Sequence, residues 1–210
     1  MSLYNHQLAY RPLLGGVEIY VPRVDEVGTL GFLAQDLGGG DQRWMVSCYH
    51  VLVGGPGAVP PASEGVFQPA SAVLPAAHVD ALRTDVALDC AAAKIVAGVS
   101  ITGEILGIGA IGIPLDPEIG MRVIKSGAAT GVMEGMVEGV NENDVIIGLP
   151  SGFDPDYDLS LPGDSGAVWV SQQEHSPVAL HIRGVPGARK TVMAKRLVPI
   201  LVALRLSVAG

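Results

Sequence analysis

Glycine and proline divide this chain into short apolar runs, and this pattern constrains its fold more than any other feature. The 210 residues include 28 Gly and 15 Pro. The runs between them are rich in Val, Leu, Ile and Ala, and several alternate apolar with polar residues as half-buried strands do. Such a mixture favours many short strands joined by tight turns over long helices. We therefore predict an all-β protein.

The individual strands are predicted from runs that alternate or remain apolar. They cover residues 17–21, 29–34, 44–53, 86–96, 121–126, 136–140, 144–148, 167–171 and 178–182. The last two runs flank a polar turn and indicate a β-hairpin. Only the tail, residues 193–206, repeats apolar residues at helical spacing, with Pro199 as a kink or in its first turn.

Charge and hydropathy exclude several classes of partner. The formal charge of -8 and the pI of about 5.0 would repel a phosphate backbone. No stretch approaches the roughly 18 uncharged apolar residues that span a bilayer, and the N-terminus lacks the pattern of a signal peptide. We expect a cytoplasmic protein that binds neither nucleic acid nor membrane. Cys48 and Cys90 are interpreted as small buried hydrophobes, with a single disulfide as the alternative.

The sharpest local motif is Gly163-Asp164-Ser165-Gly166. A nucleophilic serine needs small neighbours for close substrate approach and backbone N–H groups directed at the developing oxyanion. A string of this kind also occurs as an ordinary turn. Catalysis by Ser165 therefore depends on finding a base and an acid elsewhere in the chain.

His50 is the best candidate for the base. A serine hydroxyl is a weak nucleophile until a base removes its proton, and the pKa of histidine suits that task. Among the five histidines, His50 ends a buried apolar run, while His181 lies inside a predicted strand. His6, His78 and His175 lie in less ordered contexts.

A carboxylate is needed to orient the base and stabilise its imidazolium form. Asp85 precedes Val-Ala-Leu and is placed at the entrance to the strand predicted for residues 86–96. Asp80 and Asp89 are the alternatives, Asp80 in weaker context and Asp89 further into the apolar run. We predict Asp85 as the acid.

Three segments resemble the catalytic blocks of trypsin-like serine peptidases. They are Val46-Ser47-Cys48-Tyr49-His50-Val51-Leu52, Thr84-Asp85-Val86-Ala87-Leu88 and Pro162-Gly163-Asp164-Ser165-Gly166-Ala167. A fourth, Lys125-Ser126-Gly127-Ala128-Ala129-Thr130-Gly131, is similar to a segment of the bacterial streptogrisin and α-lytic branch. Ala167, where many members have glycine, and Tyr49, where many have a small residue, depart from the pattern.

The resemblance implies two packed six-stranded antiparallel β-barrels and a C-terminal helix within one peptidase domain, residues 1–210. The barrels would cover about 17–110 and 111–192, and the helix about 193–206. Backbone N–H groups of Gly163 and Ser165 would form the oxyanion hole. The implied function is a serine endopeptidase acting on a protein or peptide through an acyl-enzyme intermediate.

The resemblance also suggests a substrate preference. Leu159 stands where trypsin has an acidic pocket residue, so preference for Lys or Arg is not supported. The strand His181-Ile182-Arg183 would pair with an extended substrate, and its sequence resembles the pocket strand of glutamyl endopeptidases and of viral 3C-like peptidases. Because histidine can bond an acidic or amide side chain and Arg183 adds positive charge, we predict Glu, Asp or Gln before the scissile bond. The alternative is a core His181 with Arg183 in solvent.

Other functions stay open at this level. A catalytically silent module could bind a peptide or protein partner in the same cleft, and an esterase would share the acyl-enzyme chemistry. A regulatory partner is a further expectation. We predict no cofactor and no metal site, because the His and Cys residues lack ligand spacing; the acidic segment 154–158 is interpreted as a surface loop rather than a calcium site.

Overall fold

The computed structural model describes residues 4–55, 57–60, 63–150, 152 and 158–209. The strands are β1 Leu13–Gly15, β2 Glu18–Val21, β3 Glu26–Thr29, β4 Phe32–Asp36, β5 Arg43–Cys48, β6 Gly65–Val66, β7 Ala77–Asp85, β8 Cys90–Ile95, β9 Ile101–Ile105, β10 Gly109–Ala110, β11 Arg122–Gly127, β12 Gly131–Val140, β13 Asp144–Gly148, β14 Val168–Ser171, β15 Pro177–Val185, β16 Ala188–Arg196 and β17 Leu206–Val208. The helices are α1 Tyr49–Leu52 and α2 Leu197–Leu204.

The C-terminal half forms a closed barrel of six antiparallel strands in the order β11-β12-β13-β16-β15-β14. Strand β12 alternates buried and half-buried residues over most of its length, as a strand with one face in a barrel does. The barrel core is mostly apolar and has Trp169 as its largest fully buried side chain. Its core residues are Val123, Met133, Val137, Val145, Ile147, Leu159, Trp169, Val178, Ala179, Val192 and Ala194.

The N-terminal half, together with β17 from the end of the chain, forms a six-stranded antiparallel sheet in the order β17-β4-β5-β8-β7-β6. Smaller sheets, β1-β9-β10 and β2-β3, accompany it. The larger apolar core fills this half and extends to Val168 and Leu180 of the closed barrel and to Ile200 of α2. These features confirm the predicted all-β, chymotrypsin-like double-barrel architecture.

The end of the chain differs from the prediction. Residues 193–196, predicted as helix, continue β16 and pair with β13 and β15, so the barrel ends at Arg196 rather than near residue 192. Helix α2 then begins with Pro199 in its first turn, where the missing N–H is not needed. It ends at Leu204, and Arg205 follows in the left-handed conformation. Leu206, predicted as helical, begins β17 and pairs with β4. Apolar spacing alone could not separate the end of the strand from the start of the helix.

The predicted boundary between the halves, at residues 110 and 111, follows β10 and precedes β11. Among the described residues, no helix is long and apolar enough to cross a membrane.

The two halves meet closely at the loop before β14. The backbone N–H of Thr29 donates to the Ser165 carbonyl at 2.8 Å, and the Thr29 hydroxyl donates to the Gly163 carbonyl at 2.7 Å. Gly166 has φ +95°, and a Cβ there would lie 2.1 Å from the Ser47 hydroxyl oxygen. Glycine is therefore required at position 166. The two hydrogen bonds from Thr29 fix the Ser165 loop, residues 163–166, against the N-terminal half.

Candidate active site

His50 lies in the short helix α1, immediately after β5, rather than at the end of a strand as predicted. Its Nδ1 is 2.7 Å from Oδ2 of Asp89, and its backbone N–H donates to Oδ1 of the same carboxylate at 3.0 Å. Both side chains are partly exposed. Two contacts from one carboxylate hold the imidazole in orientation and leave Nε2 available to accept a proton.

Asp89, not Asp85, is therefore the carboxylate beside the base, and the structure corrects the prediction. Strand β7 ends at Asp85, and a turn intervenes before β8 begins at Cys90. The Asp85 carboxylate accepts the backbone N–H groups of Ala87 and Leu88, both at 2.9 Å. An aspartate whose carboxylate accepts N–H groups two and three residues ahead is typical of a turn. Asp85 therefore stabilises the turn, and Asp89 is left to bond His50.

Ser165 faces His50 across one cleft of about 460 Å³. Asp89, Ile182 and Arg183 line the same cleft. The Ser165 hydroxyl donates to the Ile182 carbonyl at 2.8 Å, so in this conformation its proton points to β15 rather than to the imidazole. A rotation about its Cα–Cβ bond is needed to turn the hydroxyl towards His50.

The backbone around Ser165, the candidate nucleophile, has the features that an oxyanion hole requires. Gly163 has φ +107°, a conformation that favours glycine. The neighbouring backbone N–H groups have acceptors. The N–H of Asp164 donates to the Leu161 carbonyl, and that of Gly166 donates to the His181 carbonyl. The N–H groups of Gly163 and Ser165 have none within the described part of the chain. Two unpaired donors beside a nucleophile can stabilise a developing oxyanion.

The loop is anchored by a buried ion pair that sequence reasoning missed. Lys125 Nζ lies 2.8 Å from Oδ2 of Asp164, and both side chains are fully buried. The Asp164 carboxylate also accepts hydrogen bonds from the Thr130 hydroxyl and from the backbone N–H groups of Ala129, Thr130 and Leu161. Burial alone would raise the pKa of Asp164, but the Lys125 ammonium and these hydrogen bonds outweigh it and hold the pKa below its usual value.

His181 is completely buried on β15, as its strand prediction implies, and it is not in the lining of either cavity beside Ser165. The Trp169 indole N–H donates to its Nδ1 at 3.4 Å, and its Nε2 lies 2.8 Å from the Ser160 hydroxyl oxygen. Because indole only donates, Nδ1 is an acceptor and the ring proton is on Nε2. Burial, followed by the positive charge of Lys125, lowers the pKa of His181 to about 3.

A second cavity of about 410 Å³ also has Ser165 and Arg183 in its lining. Ser160 is in its wall, with Arg183 and the Asp158–Arg189 ion pair. Leu159, predicted to contact substrate, is fully buried in the barrel core instead. Ser160, one residue further, lines the cavity instead. No sequence signal identified Ser160 or Trp169.

The cysteines are free thiols, buried directly opposite each other on β5 and β8. Contrary to the prediction from spacing, potential metal ligands do come together. Donor atoms of Cys48, His50 and Asp89 lie within 4.8 Å of one another. The segment considered for calcium lies outside the described residues except for Asp158, which pairs with Arg189.

Comparison with solved structures gives close matches in fold at low sequence identity. The structure of a glutamic acid specific serine protease, which utilizes a novel histidine triad in substrate binding, has a TM-score of 0.71 and 19% identity, covering 94% of this chain and 100% of that one. The α-lytic protease homologue N4 has a TM-score of 0.66 and 22% identity, covering 93% and 98%. A Glu endopeptidase has a TM-score of 0.59 and 14% identity, covering 98% and 95%.

These matches show that the chain has the chymotrypsin-like fold of bacterial serine proteases, over nearly its whole length. Searches of protein-family models and of curated proteins found no match.

Proposed function

We propose that this protein is a serine endopeptidase with His50, Asp89 and Ser165 as its catalytic triad. The observation that carries the proposal is the Asp89–His50 hydrogen bond at 2.7 Å beside a serine in the same cleft. The unpaired N–H groups of Gly163 and Ser165 supply the complementary electrostatic element.

The reaction follows from this geometry. Ser165 Oγ turns from the Ile182 carbonyl and attacks the peptide carbonyl carbon while His50 Nε2 takes its proton. Asp89 stabilises the imidazolium, and the carbonyl electrons move to an oxyanion bonded by Gly163 and Ser165. The oxyanion collapses, His50 protonates the leaving amine, and an acyl-Ser165 ester remains. Water, deprotonated by His50, then releases the acid and restores Ser165.

A fluorophosphonate probe tests the nucleophile without requiring a known substrate. We expect one adduct on the intact protein, located to Ser165 by peptide mass analysis, and no adduct in Ser165→Ala or His50→Ala. Matched controls are Ser160→Ala and His175→Asn, which leave the triad intact and should still be labelled. Labelling that persists in Ser165→Ala, or its absence from the folded wild-type protein under all conditions, would contradict the proposal.

The principal alternative is a binding module that uses the same cleft without cleavage. The Ser165 hydroxyl bond to the Ile182 carbonyl favours this alternative, because no such bond joins Ser165 to His50 among the described residues. A tight peptide complex recovered intact from the wild-type protein, without probe labelling, would support it. We still predict a regulatory partner, which would turn the Ser165 hydroxyl towards His50.

We propose further that the substrate has Glu, Asp or Gln before the scissile bond. Nε2–H of His181 donates to Ser160, so the serine proton is free to donate into the cavity. An acceptor such as a carboxylate or an amide oxygen complements that donor. Arg183 lines the same cavity without an ion-pair partner in the described part of the chain, and its charge favours a carboxylate.

A peptide library with matched variants tests this preference. Ser160→Ala should lower kcat/KM for both Glu and Gln substrates by about tenfold, the cost of roughly one buried hydrogen bond. Arg183→Gln should reduce kcat/KM for Glu relative to Gln and leave cleavage after Gln nearly unchanged. Wild-type cleavage mainly after Lys, Arg or bulky apolar residues would refute the preference while leaving the peptidase proposal intact.

The compartment is also a proposal. Cys48 and Cys90 face each other as free thiols, which suits a reducing environment such as the cytoplasm. Fractionation of cells producing the native protein, with alkylation to count free thiols, tests this directly. Recovery of the protein in a secreted fraction would refute it.

A further inference from the structure

We propose that Cys48, His50 and Asp89 form an inhibitory zinc site at the base of the substrate cleft. Their donor atoms, a sulfur, a ring nitrogen and a carboxylate oxygen, all lie within 4.8 Å of one another. The triad mechanism uses the histidine and the aspartate but gives no role to the thiol. Cys48 is therefore the residue that distinguishes a metal site from a simple His–Asp pair.

The backbone holds the three ligands in place. Cys48 ends β5 and pairs in register with Cys90, which follows Asp89. The backbone N–H of Tyr49 donates to the Asp89 carbonyl at 3.0 Å, and that of His50 donates to the Asp89 carboxylate. The three ligands thus come from two segments tied together by the β5–β8 ladder, and only side-chain rotations are needed to adjust them.

The donor set and its dimensions suit zinc. Thiolate, imidazole and carboxylate are zinc ligands at about 2.0–2.3 Å, so atoms sharing a tetrahedral ion lie about 3.4–3.6 Å apart. Reaching that spacing from a largest separation of 4.8 Å takes a shift of about 1 Å. The partly exposed His50 and Asp89 side chains can make this shift. Calcium and magnesium are disfavoured because they prefer more ligands and only oxygen.

The ion would enter from the cleft, since His50 and Asp89 line it and Cys48 lies buried behind them. The Cys48 thiol now donates to the His181 carbonyl at 3.2 Å. Zinc replaces the thiol proton, which leaves to solvent, while the imidazole binds in its neutral form and the carboxylate as an anion. Three ligands leave a fourth position for water on the cleft side.

Inhibition follows from proton accounting on the imidazole. A neutral ring has one lone pair on nitrogen. If zinc takes Nδ1, the proton lies on Nε2 and the ring cannot accept the Ser165 proton. If zinc takes Nε2, the base is blocked directly. In the first case the metal also takes the nitrogen that bonds Asp89, so the His50–Asp89 hydrogen bond is lost.

Cobalt(II) is a suitable probe because it occupies zinc sites and gives thiolate-to-metal charge-transfer absorption in the near ultraviolet. We expect this band on titrating the full-length reduced protein with cobalt, and its loss when zinc is added. Cys48→Ser should abolish the band while retaining a donor to the His181 carbonyl. Cys90→Ser is the matched control, equally buried on the facing strand, and should retain the band.

Zinc inhibition of peptide cleavage provides the second readout. The inhibition constant should rise by at least about tenfold in Cys48→Ser and stay within about twofold in Cys90→Ser, as expected for loss of one metal contact. Absence of the cobalt band in folded wild-type protein, or an equal band in Cys48→Ser, would overturn the proposal. The cobalt result does not depend on peptidase activity, so the zinc site and the proposed function can fail separately.

Discussion

At the scale of single residues, Asp85 and Asp89 occupy the two ends of one tight turn and have different partners. Asp85 stabilises the turn by accepting two backbone N–H groups within it. Asp89 has φ +49° at the end of the turn and directs its carboxylate to His50. A residue in this uncommon conformation beside the candidate base is consistent with a functional constraint.

Matched amide substitutions separate the two roles. Asp89→Asn should lower kcat/KM by about 10⁴-fold, because the amide no longer enforces the imidazole tautomer or stabilises its charge. Asp85→Asn should change kcat/KM by less than about threefold, since the amide oxygen still accepts both turn N–H groups. Steady-state kinetics, with thermal unfolding to verify the fold, checks both. A larger loss of kcat/KM in Asp85→Asn than in Asp89→Asn would instead assign the catalytic role to Asp85.

Lys125 illustrates how one buried charge stabilises the Ser165 loop. Lys125→Met should destabilise the protein by about 3–5 kcal/mol, because it leaves the Asp164 carboxylate buried without its cation. The double variant Lys125→Met with Asp164→Asn should recover part of that loss. Denaturant unfolding measures the free energies. Equal stability of Lys125→Met and wild type would show that the pair does not anchor the loop.

At the scale of elements, two of the three glycines in β12, Gly135 and Gly139, have different surroundings. A Cβ at Gly135 would lie 2.5 Å from a methyl carbon of Ile147 and 3.0 Å from the Trp169 ring. A Cβ at Gly139 would lie 3.6 Å from Ile146, an ordinary contact. Space inside the closed barrel therefore requires glycine at the first position and not at the second.

The two alanine variants should accordingly differ in stability. Gly135→Ala should cost about 1–3 kcal/mol from overpacking and should alter Trp169 fluorescence, because the indole must shift. Gly139→Ala should be neutral or stabilising by up to about 1 kcal/mol, since alanine restricts the unfolded chain more than glycine does. Urea unfolding of both proteins provides the comparison. A loss in Gly139→Ala as large as in Gly135→Ala would contradict this account of the packing.

At the scale of the whole molecule, the buried His181 links folding stability to pH. Its pKa falls from 6.5 to about 3 on folding. Between these values the unfolded chain holds a proton that the folded protein does not, so the stability due to His181 is complete above about pH 6.5 and decreases as the pH falls towards 3. The structure therefore resists acid less well than one with glutamine at this position.

His181→Gln should flatten the pH dependence of the unfolding free energy in this window. The slope should decrease by up to about 1.4 kcal/mol per pH unit, the value for one proton. His175→Asn, in an exposed turn at φ +54°, is the control and should keep the wild-type slope. Urea unfolding at several pH values measures the slopes. Parallel profiles for His181→Gln and wild type would disprove the linkage.

Local sequence patterns predicted much of the fold. The all-β class and the β14–β15 hairpin followed from apolar runs between turn residues. The double-barrel arrangement was reached through resemblance to a known family, and the structure confirms it. Spacing could not locate where β16 becomes α2, because the apolar residues of both fit one continuous pattern.

The pattern of residues was enough to predict the class of fold and the order of His50, an aspartate and Ser165 along the chain. The folded structure was needed to show that Asp89 bonds His50, that Ser160 rather than Leu159 lines the cavity beside Ser165, and that the Cys48 thiol lies within 4.8 Å of both other donor atoms. A turn of a few residues changes which side chain points towards the cleft. Thr29 and Gly163, 134 residues apart, come into contact only when the two halves pack together.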